Sequence, residues 1–430
     1  MRNIQTDLKA QSKNCNSLKP LRICLTGYRS EPFSGGQGIY LKYLSRALVD
    51  AGHQVDVISG QPYPELDKRV GLIKLPGMNL FVEGLSSFKL KNLLSITDII
   101  EWWVKLFGGF AEPYCFSRRL FKYLKKHKKK YDIIHDNQCL GWGILELQKI
   151  GLPIITTIHH PITSDRYIAI QNADSFLQRF FINRWYSFLK MQIRVASELR
   201  HILTVSKKSR EDLKRDFNLT KKNINVIYNG IDTNLFQPMF NRDRDPYRVI
   251  VTASADQPLK GLKYLLLAIK TLVDKYPNLN LLVIGKLQKG GDTERLILRL
   301  GLKEKIRFIH GVSSQDLVKH YSTSSIAVVP SIYEGFGLPA AEAMACGLPV
   351  ISTNGGALPE VVGAAGLIVP VKNADAISIG INKFLKDKSL REDLGRAGRL
   401  RIKENFSWDI TAKETSSLYY KIILEDRVKL

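Results

Sequence analysis

PSIYEGFGLPAAEAMACGLPV (330–350) is the stretch from which the rest of the chain can be read. The residues just before it, IAVVPS (326–331), have the continuous apolar character of a strand covered on both faces. A loop, Glu334-Gly335-Phe336-Gly337, comes next. Pro339 suits the first turn of a helix, where its missing N–H is not needed, and Gly347 is a natural stop. The backbone N–H groups around Gly337–Ala340 therefore form a helix N-terminus at the carboxyl end of a parallel strand. That is an anion site at the usual ligand position of such sheets. Glu334 precedes the helix and Glu342 sits in its first turn, so both carboxylates can flank one pocket. Beside a phosphate site, carboxylates make sense if the ligand also carries hydroxyls for them to accept.

Working outward, the same alternation of strand and helix fills both halves. LRICLTGY (21–28), a glycine-rich turn at Ser34-Gly35-Gly36-Gln37-Gly38, a helix over 39–53 and QVDVIS (54–59) make a βαβ unit. Further strands are predicted at 131–136, 153–160, 201–206 and 224–230. A second series falls at 248–254, 280–285, 305–311, 326–331, 349–353 and 366–370. The fold class is α/β, with two Rossmann-like doubly wound parallel-sheet domains facing across a cleft. The expected organisation is a disordered leader over 1–20, a first domain over 21–238, a second over 239–405, and a final helical segment over 406–430 that crosses back to the first. The polar, proline-bearing segment 229–248 separates the two series.

Composition agrees with two cores. The chain has 430 residues, 44% of them hydrophobic, which suits two domains of about 200 residues. Five scattered cysteines without a C-x-x-C pair suggest neither a disulfide frame nor a zinc site, and fit a reducing, cytoplasmic setting. No apolar run is long enough to span a membrane. The net charge of +24 is the unusual quantity. Residues 1–240 hold 36 Lys+Arg against 20 Asp+Glu, and 241–430 hold 28 against 20, so the first half carries most of the excess. It serves solubility alone or attracts phosphate-bearing partners.

The 330–350 stretch resembles the Glu–seven residues–Glu motif of retaining GT-B glycosyltransferases, specifically the large family 4 (group 1). The matching residues are Glu334, Gly335, Phe336, Gly337, Leu338, Pro339, Glu342, Ala343, Met344, Gly347 and Pro349. The resemblance implies that Glu334 contacts the transferring sugar and Glu342 the ribose hydroxyls of a nucleotide diphosphate donor. Lys260, in SADQPLKG, resembles the family's pyrophosphate lysine. The arginine usual six residues earlier is Ser254 here, so one cation is missing. His159, in TTIHHP, resembles the family's active-site histidine, with His160 beside it. Gly35 and Gly36 resemble its first glycine loop near the diphosphate. The resemblance further implies sugar transfer with retained configuration, without cofactor or bound metal, onto a glycan, lipid-linked or other hydroxyl acceptor. Asp243 and Asp245 form the only Asp-x-Asp near these motifs, and they read as solvated linker charges.

Two other functions compete. A non-catalytic sugar-nucleotide binder on the same fold is favoured by Ser254 and opposed by Glu334, Lys260 and His159. Nucleic-acid binding is suggested by charge alone, and no nucleic-acid motif appears, so no nucleic-acid partner is expected. An anionic membrane surface is a candidate partner. Segments 80–125 and 165–200 mix Trp102, Trp103, Phe180, Phe181 and Trp185 with Lys105, Arg179 and Arg184. They read either as amphipathic surface helices or as aromatics packed inside the first domain.

Overall fold

The computed structural model describes residues 19–31, 36–80, 83–171, 173, 175–239 and 243–428. Except for Lys19 and Pro20, the leader expected at 1–20 lies outside them, as does Gly35. Two parallel sheets form. The first holds β1 (Arg22–Gly27), β2 (Gln54–Ser59), β3 (Gly71–Lys74), β4 (Ile133–Asn137), β5 (Ile154–Ile158), β6 (His201–Thr204) and β7 (Ile224–Val226). The second holds β8 (Arg248–Thr252), β9 (Asn280–Ile284), β10 (Ile306–Ile309), β11 (Ile326–Val329), β12 (Val350–Thr353) and β13 (Leu367–Val369). Their orders are β3-β2-β1-β4-β5-β6-β7 and β10-β9-β8-β11-β12-β13.

Each order reverses once, between β1 and β4 and between β8 and β11. A reversal leaves a crevice outside the carboxyl ends of the two central strands, because their connections leave in opposite directions. Helices cover both faces, which is why β4, β5, β11 and β12 are buried along their whole length.

The structure departs from expectation in three places. β3 is a further strand. It is an edge strand without a buried residue, so it carries no apolar run to betray it. The first helix spans Gly36–Asp50 rather than 39–53, because Gly52 turns at φ 92° and buried His53 accepts from Leu21 N–H and bonds Ser416. Of the two linker aspartates, Asp243 is exposed, but Asp245 pairs with Arg248 at 3.1 Å and accepts from Asn280.

The last helix, Trp408–Val428, packs on the Gly36–Asp50 helix in a shared core of Tyr40, Leu44, Leu48, Trp408, Ala412 and Ile422. Tyr419 reaches through this core to His135 of β4, with its hydroxyl 2.5 Å from Nδ1.

Candidate active site

The second-lobe half of the site is built by glycines that let two loops touch. After β8 the chain passes exposed Ser254 and makes a short turn, Pro258–Lys260. Gly261 follows at φ 64°, and a Cβ there would lie 2.0 Å from the Pro330 carbonyl oxygen. No other residue fits. The Ile332 N–H bonds the Leu259 carbonyl at 2.8 Å and locks the two loops together. This places Lys260 Nζ 2.8 Å from Glu334 Oε1, which also accepts from Ser331 Oγ at 2.8 Å. The pair is largely but not fully shielded.

A third loop supports Glu334 from beneath. Gly356, at φ 62°, approaches so closely that a Cβ would lie 2.1 Å from the Glu334 carbonyl oxygen, to which Ala357 N–H donates at 2.9 Å. Gly337 caps the Leu338–Ala345 helix at φ 102°, with Leu358 filling the space a side chain would need. Glu342 lies in the helix that begins there, but past its first turn rather than within it, because the helix starts at Leu338. Burial pushes its carboxyl up to about 8, while Tyr321 OH, 3.5 Å away, works weakly against this. Tyr43 of the first lobe is near: burial, then Asp232 and Glu342, raise its phenol to about 12.

In the first-lobe half, His159 follows β5. Its Nε2 lies 2.6 Å from Asn137 Oδ1, and its N–H donates to Gln138 Oε1 at 2.8 Å. Tyr40 meets the ring edge-on at 4.8 Å. Burial, then His160 and His135, push the His159 imidazole down to about 3, so it is neutral. His160 behaves oppositely. Although burial works against it, Asp165, 3.3 Å from Nε2, and then Glu334 raise its pKa. Gly36 opens the first helix, and a Cβ there would meet nothing within 4 Å. Packing therefore does not require that glycine, and the space beside it is open.

The halves meet at the Gly335 peptide. Its carbonyl accepts from Ser206 Oγ at 2.8 Å and Ser209 Oγ at 3.2 Å, and Ser209 Oγ also donates to the His159 carbonyl. A Cβ on Gly335 would lie 2.8 Å from that carbonyl and 3.2 Å from His160 Cβ. Glu360 extends the seam. It accepts from the Lys207 and Lys208 N–H groups at 2.9 and 2.7 Å and from Tyr228 OH, capping a helix of the opposite lobe. Tyr333 OH donates to buried Asp212 across the same seam.

The structure thus brings Glu334, Lys260, Gly335 and the His159–His160 loop together. Phe336 turns its ring into the core against Tyr228 and Phe406, which leaves only its backbone for a ligand. Leu338 packs on that same core. Sequence reading missed Asn137, Gln138, Ser331 and Glu360. The polar run HDNQ closing a buried strand was the available signal for the first two. A cavity of about 500 Å³ bordered by Arg248, Arg307 and His320 lies elsewhere, at the amino ends of β8–β10.

Known proteins share this organisation. The model of "Glycosyltransferase Family 4" matches residues 34–235, and that of "Glycosyl transferases group 1" matches 237–401. The MMP alpha-(1->4)-mannosyltransferase of Mycolicibacterium hassiacum is 40% identical over 415 residues, covering 94% of this chain and 98% of that protein. A D-inositol 3-phosphate glycosyltransferase of Corynebacterium glutamicum is 27% identical, covering 95% and 98%. Among solved structures, a sucrose-phosphate synthase from Thermosynechococcus elongatus superposes with a TM-score of 0.72 at 24% identity, covering 94% and 100%. Anabaena HepE, solved with UDP and glucose, gives 0.66 at 15%, covering 93% and 100%. At these identities the two structures establish likeness of fold.

Proposed function

This chain belongs to the group 1, family 4 glycosyltransferases and has their GT-B fold, and from that premise we propose that it moves a hexose from a nucleotide diphosphate to a hydroxyl acceptor with retained configuration. The observation that carries the reading is the Lys260–Glu334–Ser331 cluster at the β8/β11 switch point, pressed against the His159–His160 loop that follows β5. Lys260 pairs with Glu334 and neutralises it. An arriving diphosphate takes the Lys260 ammonium and the amides at the Gly337–Leu338 helix start, and Glu334 is released to accept hydroxyls of the sugar. Glu342 faces the ribose. The cationic help for the leaving group comes from Lys260 and the helix, without a bound metal, and Ser254 adds none.

Retention is supported by the state of His159. An imidazole whose pKa is about 3 is a poor base for an attacking hydroxyl. The acceptor oxygen then bonds the anomeric carbon on the face from which the diphosphate leaves, the carbon–oxygen bond to phosphate breaks, and the acceptor proton goes to the departing phosphate oxygen. Mannose is the first hexose to test, since the 40%-identical relative is named a mannosyltransferase. Thermal stabilisation by a panel of sugar nucleotides identifies the donor, and the anomeric configuration of the product tests retention. If no sugar nucleotide stabilises the protein, or if Lys260→Ala transfers as fast as wild type, the reading is wrong.

We extend the proposal to the place of reaction, an anionic membrane surface. Among the described residues, 13 of 21 exposed large apolar side chains lie at 85–107 and 167–181, including Leu90, Leu94, Phe176 and Phe180. The two segments adjoin, with Arg184 donating to the Phe107 carbonyl. Nearby Asp98, Glu101 and Glu112 point inward to Arg119 and Arg29, so they do not oppose Lys105, Arg179 and Arg184. No helix among the described residues is long and apolar enough to cross a membrane; the expected attachment is peripheral. Failure to sediment with phosphatidylglycerol vesicles at low salt removes this extension and leaves the transfer reaction untouched.

A further inference from the structure

We propose that Asn137 and Gln138 act as an amide clamp that fixes His159 as the neutral, Nε2-protonated tautomer and holds its loop against the donor-binding lobe. Both are positioning residues. The inference rests on the reading of His159 as an active-site group.

Asn137 closes β4 and is 1% exposed. Its Nδ2 donates to the Gln37 carbonyl at 3.1 Å, at the start of the first helix, while Oδ1 lies 2.6 Å from His159 Nε2. These two partners fix the amide's orientation. Turned over, Oδ1 would face the Gln37 carbonyl, an acceptor against an acceptor. Oδ1 therefore accepts, and His159 Nε2 carries the proton. Nδ1 keeps its lone pair and makes no hydrogen bond among the described residues. It can accept a hydrogen bond from a sugar hydroxyl and cannot donate one.

Gln138 holds the backbone of the same loop. Its Oε1 accepts from His159 N–H at 2.8 Å and its Nε2 donates to the His160 carbonyl at 3.1 Å. It does this from a left-handed conformation, φ 55°, in a buried position. Such a conformation is unfavourable for a residue with a side chain. The surroundings enforce it: Asp136 Oδ2 accepts from Leu140 N–H, and Gln192 Nε2 donates to the Gln138 and Cys139 carbonyls. Strain held at the end of a central strand, beside the switch point, is the pattern expected where geometry serves a site.

The charge environment favours the neutral ring. His160 lies on the same loop, its partner Asp165 in the following helix Thr163–Gln171, His135 on β4, and Tyr40 on the first helix. From the second lobe, Glu334 and Lys260 act on His160. None of these offers His159 a carboxylate partner. Asn137 supplies an acceptor for the Nε2 proton without the charge that would stabilise imidazolium.

The test is ¹⁵N–¹H correlation of histidine-labelled full-length protein across pH, with His159 assigned by its loss in His159→Gln. The eight histidines make this tractable. Wild type is expected to show the Nε2–H tautomer of His159 and no titration down to pH 5. Asn137→Asp is expected to bring His159 into the ordinary histidine range and to give kcat an acidic limb that wild type lacks. Asn137→Ala is expected to lower kcat about 100-fold with donor KM changed only a few-fold. An Nδ1–H tautomer or an imidazolium at pH 6 in wild type overturns the proposal without any variant having to fold. So does an Asn137→Asp protein with unchanged His159 titration. If the spectra are as expected but His159→Gln keeps full kcat, the assignment of His159 to the site is what fails.

Discussion

Gly261→Ala is the sharpest perturbation the structure offers. The new methyl carbon would sit 2.0 Å from the Pro330 carbonyl oxygen, and real Cβ atoms essentially never approach within 3.0 Å. One loop must therefore retreat by about 1 Å, and the obstacle is backbone, so no side-chain rotation relieves it. Lys260 and Ser331 lie on the two loops being pushed apart, and both hold the same Glu334 oxygen at 2.8 Å. A displacement of that size takes an ammonium–carboxylate contact out of hydrogen-bonding range and is worth about 100-fold in rate. The φ of 64° adds a conformational cost of about 1–2 kcal/mol. Gly301 provides the control: its φ is 68°, and a Cβ there would meet nothing within 4 Å. Gly301→Ala should share the conformational cost and spare the site. Steady-state transfer measured beside urea unfolding separates the two contributions. Gly261→Ala should lose about 100-fold in kcat/KM while Gly301→Ala stays near wild type. Equal activities in the two variants would show that the close approach does not position Lys260.

Glu342 gives a pH prediction. Its folded pKa, about 8, lies above the ordinary 4.5, so its neutral form favours the fold below pH 4.5 and that contribution is lost as pH rises through 8. Glu342→Gln should flatten the stability profile between those limits, and an unchanged slope in urea titrations would contradict the burial argument. Tyr419→Phe should cost about 1–3 kcal/mol, because it leaves buried His135 Nδ1 without its partner; unfolding by urea reads this, and a loss within error refutes it. Glu360→Ala leaves the first two amides of the Lys207–Asp216 helix without the carboxylate from the opposite lobe, though Ser206 still caps Ser209 N–H, and should cost about 0.5–2 kcal/mol. Its amides at Lys207 and Lys208 should exchange faster with solvent, and unchanged exchange would mean that the seam is not held there.

The strand–loop–helix arrangement around Glu334 and Glu342 was legible because it is local. Glu334, Gly337, Pro339 and Glu342 stand within nine positions, and a strand–loop–helix turn allows them few arrangements. Lys260 could be found by its place after β8, but its grip on Glu334 spans 74 residues and depends on Gly261 meeting Pro330. Phe336 shows the limit of motif reading. It stands inside the string, yet its ring fills the core against Tyr228 and Phe406, residues far away in sequence. The aromatic segments divided likewise: Trp103, Phe180 and Phe181 are at least half exposed, whereas Phe110 packs on Trp185 and Phe188. Amphipathic spacing shows that a helix has two faces and leaves open what covers them.

By itself the sequence determined two doubly wound sheets, the glycine-led helix start after β11, and two acidic side chains near it, since apolar periodicity and glycine placement act over a few residues. Tertiary structure alone decided that His135 is answered by Tyr419, that Glu360 caps a helix of the other lobe, and that Asn137 and Gln138 hold the His159 loop. Each joins polar groups from separate parts of the chain, and all but the Lys207 contact are wholly or partly buried. Burial makes such pairing obligatory, but a partner's identity exists only once the lobes have folded and met.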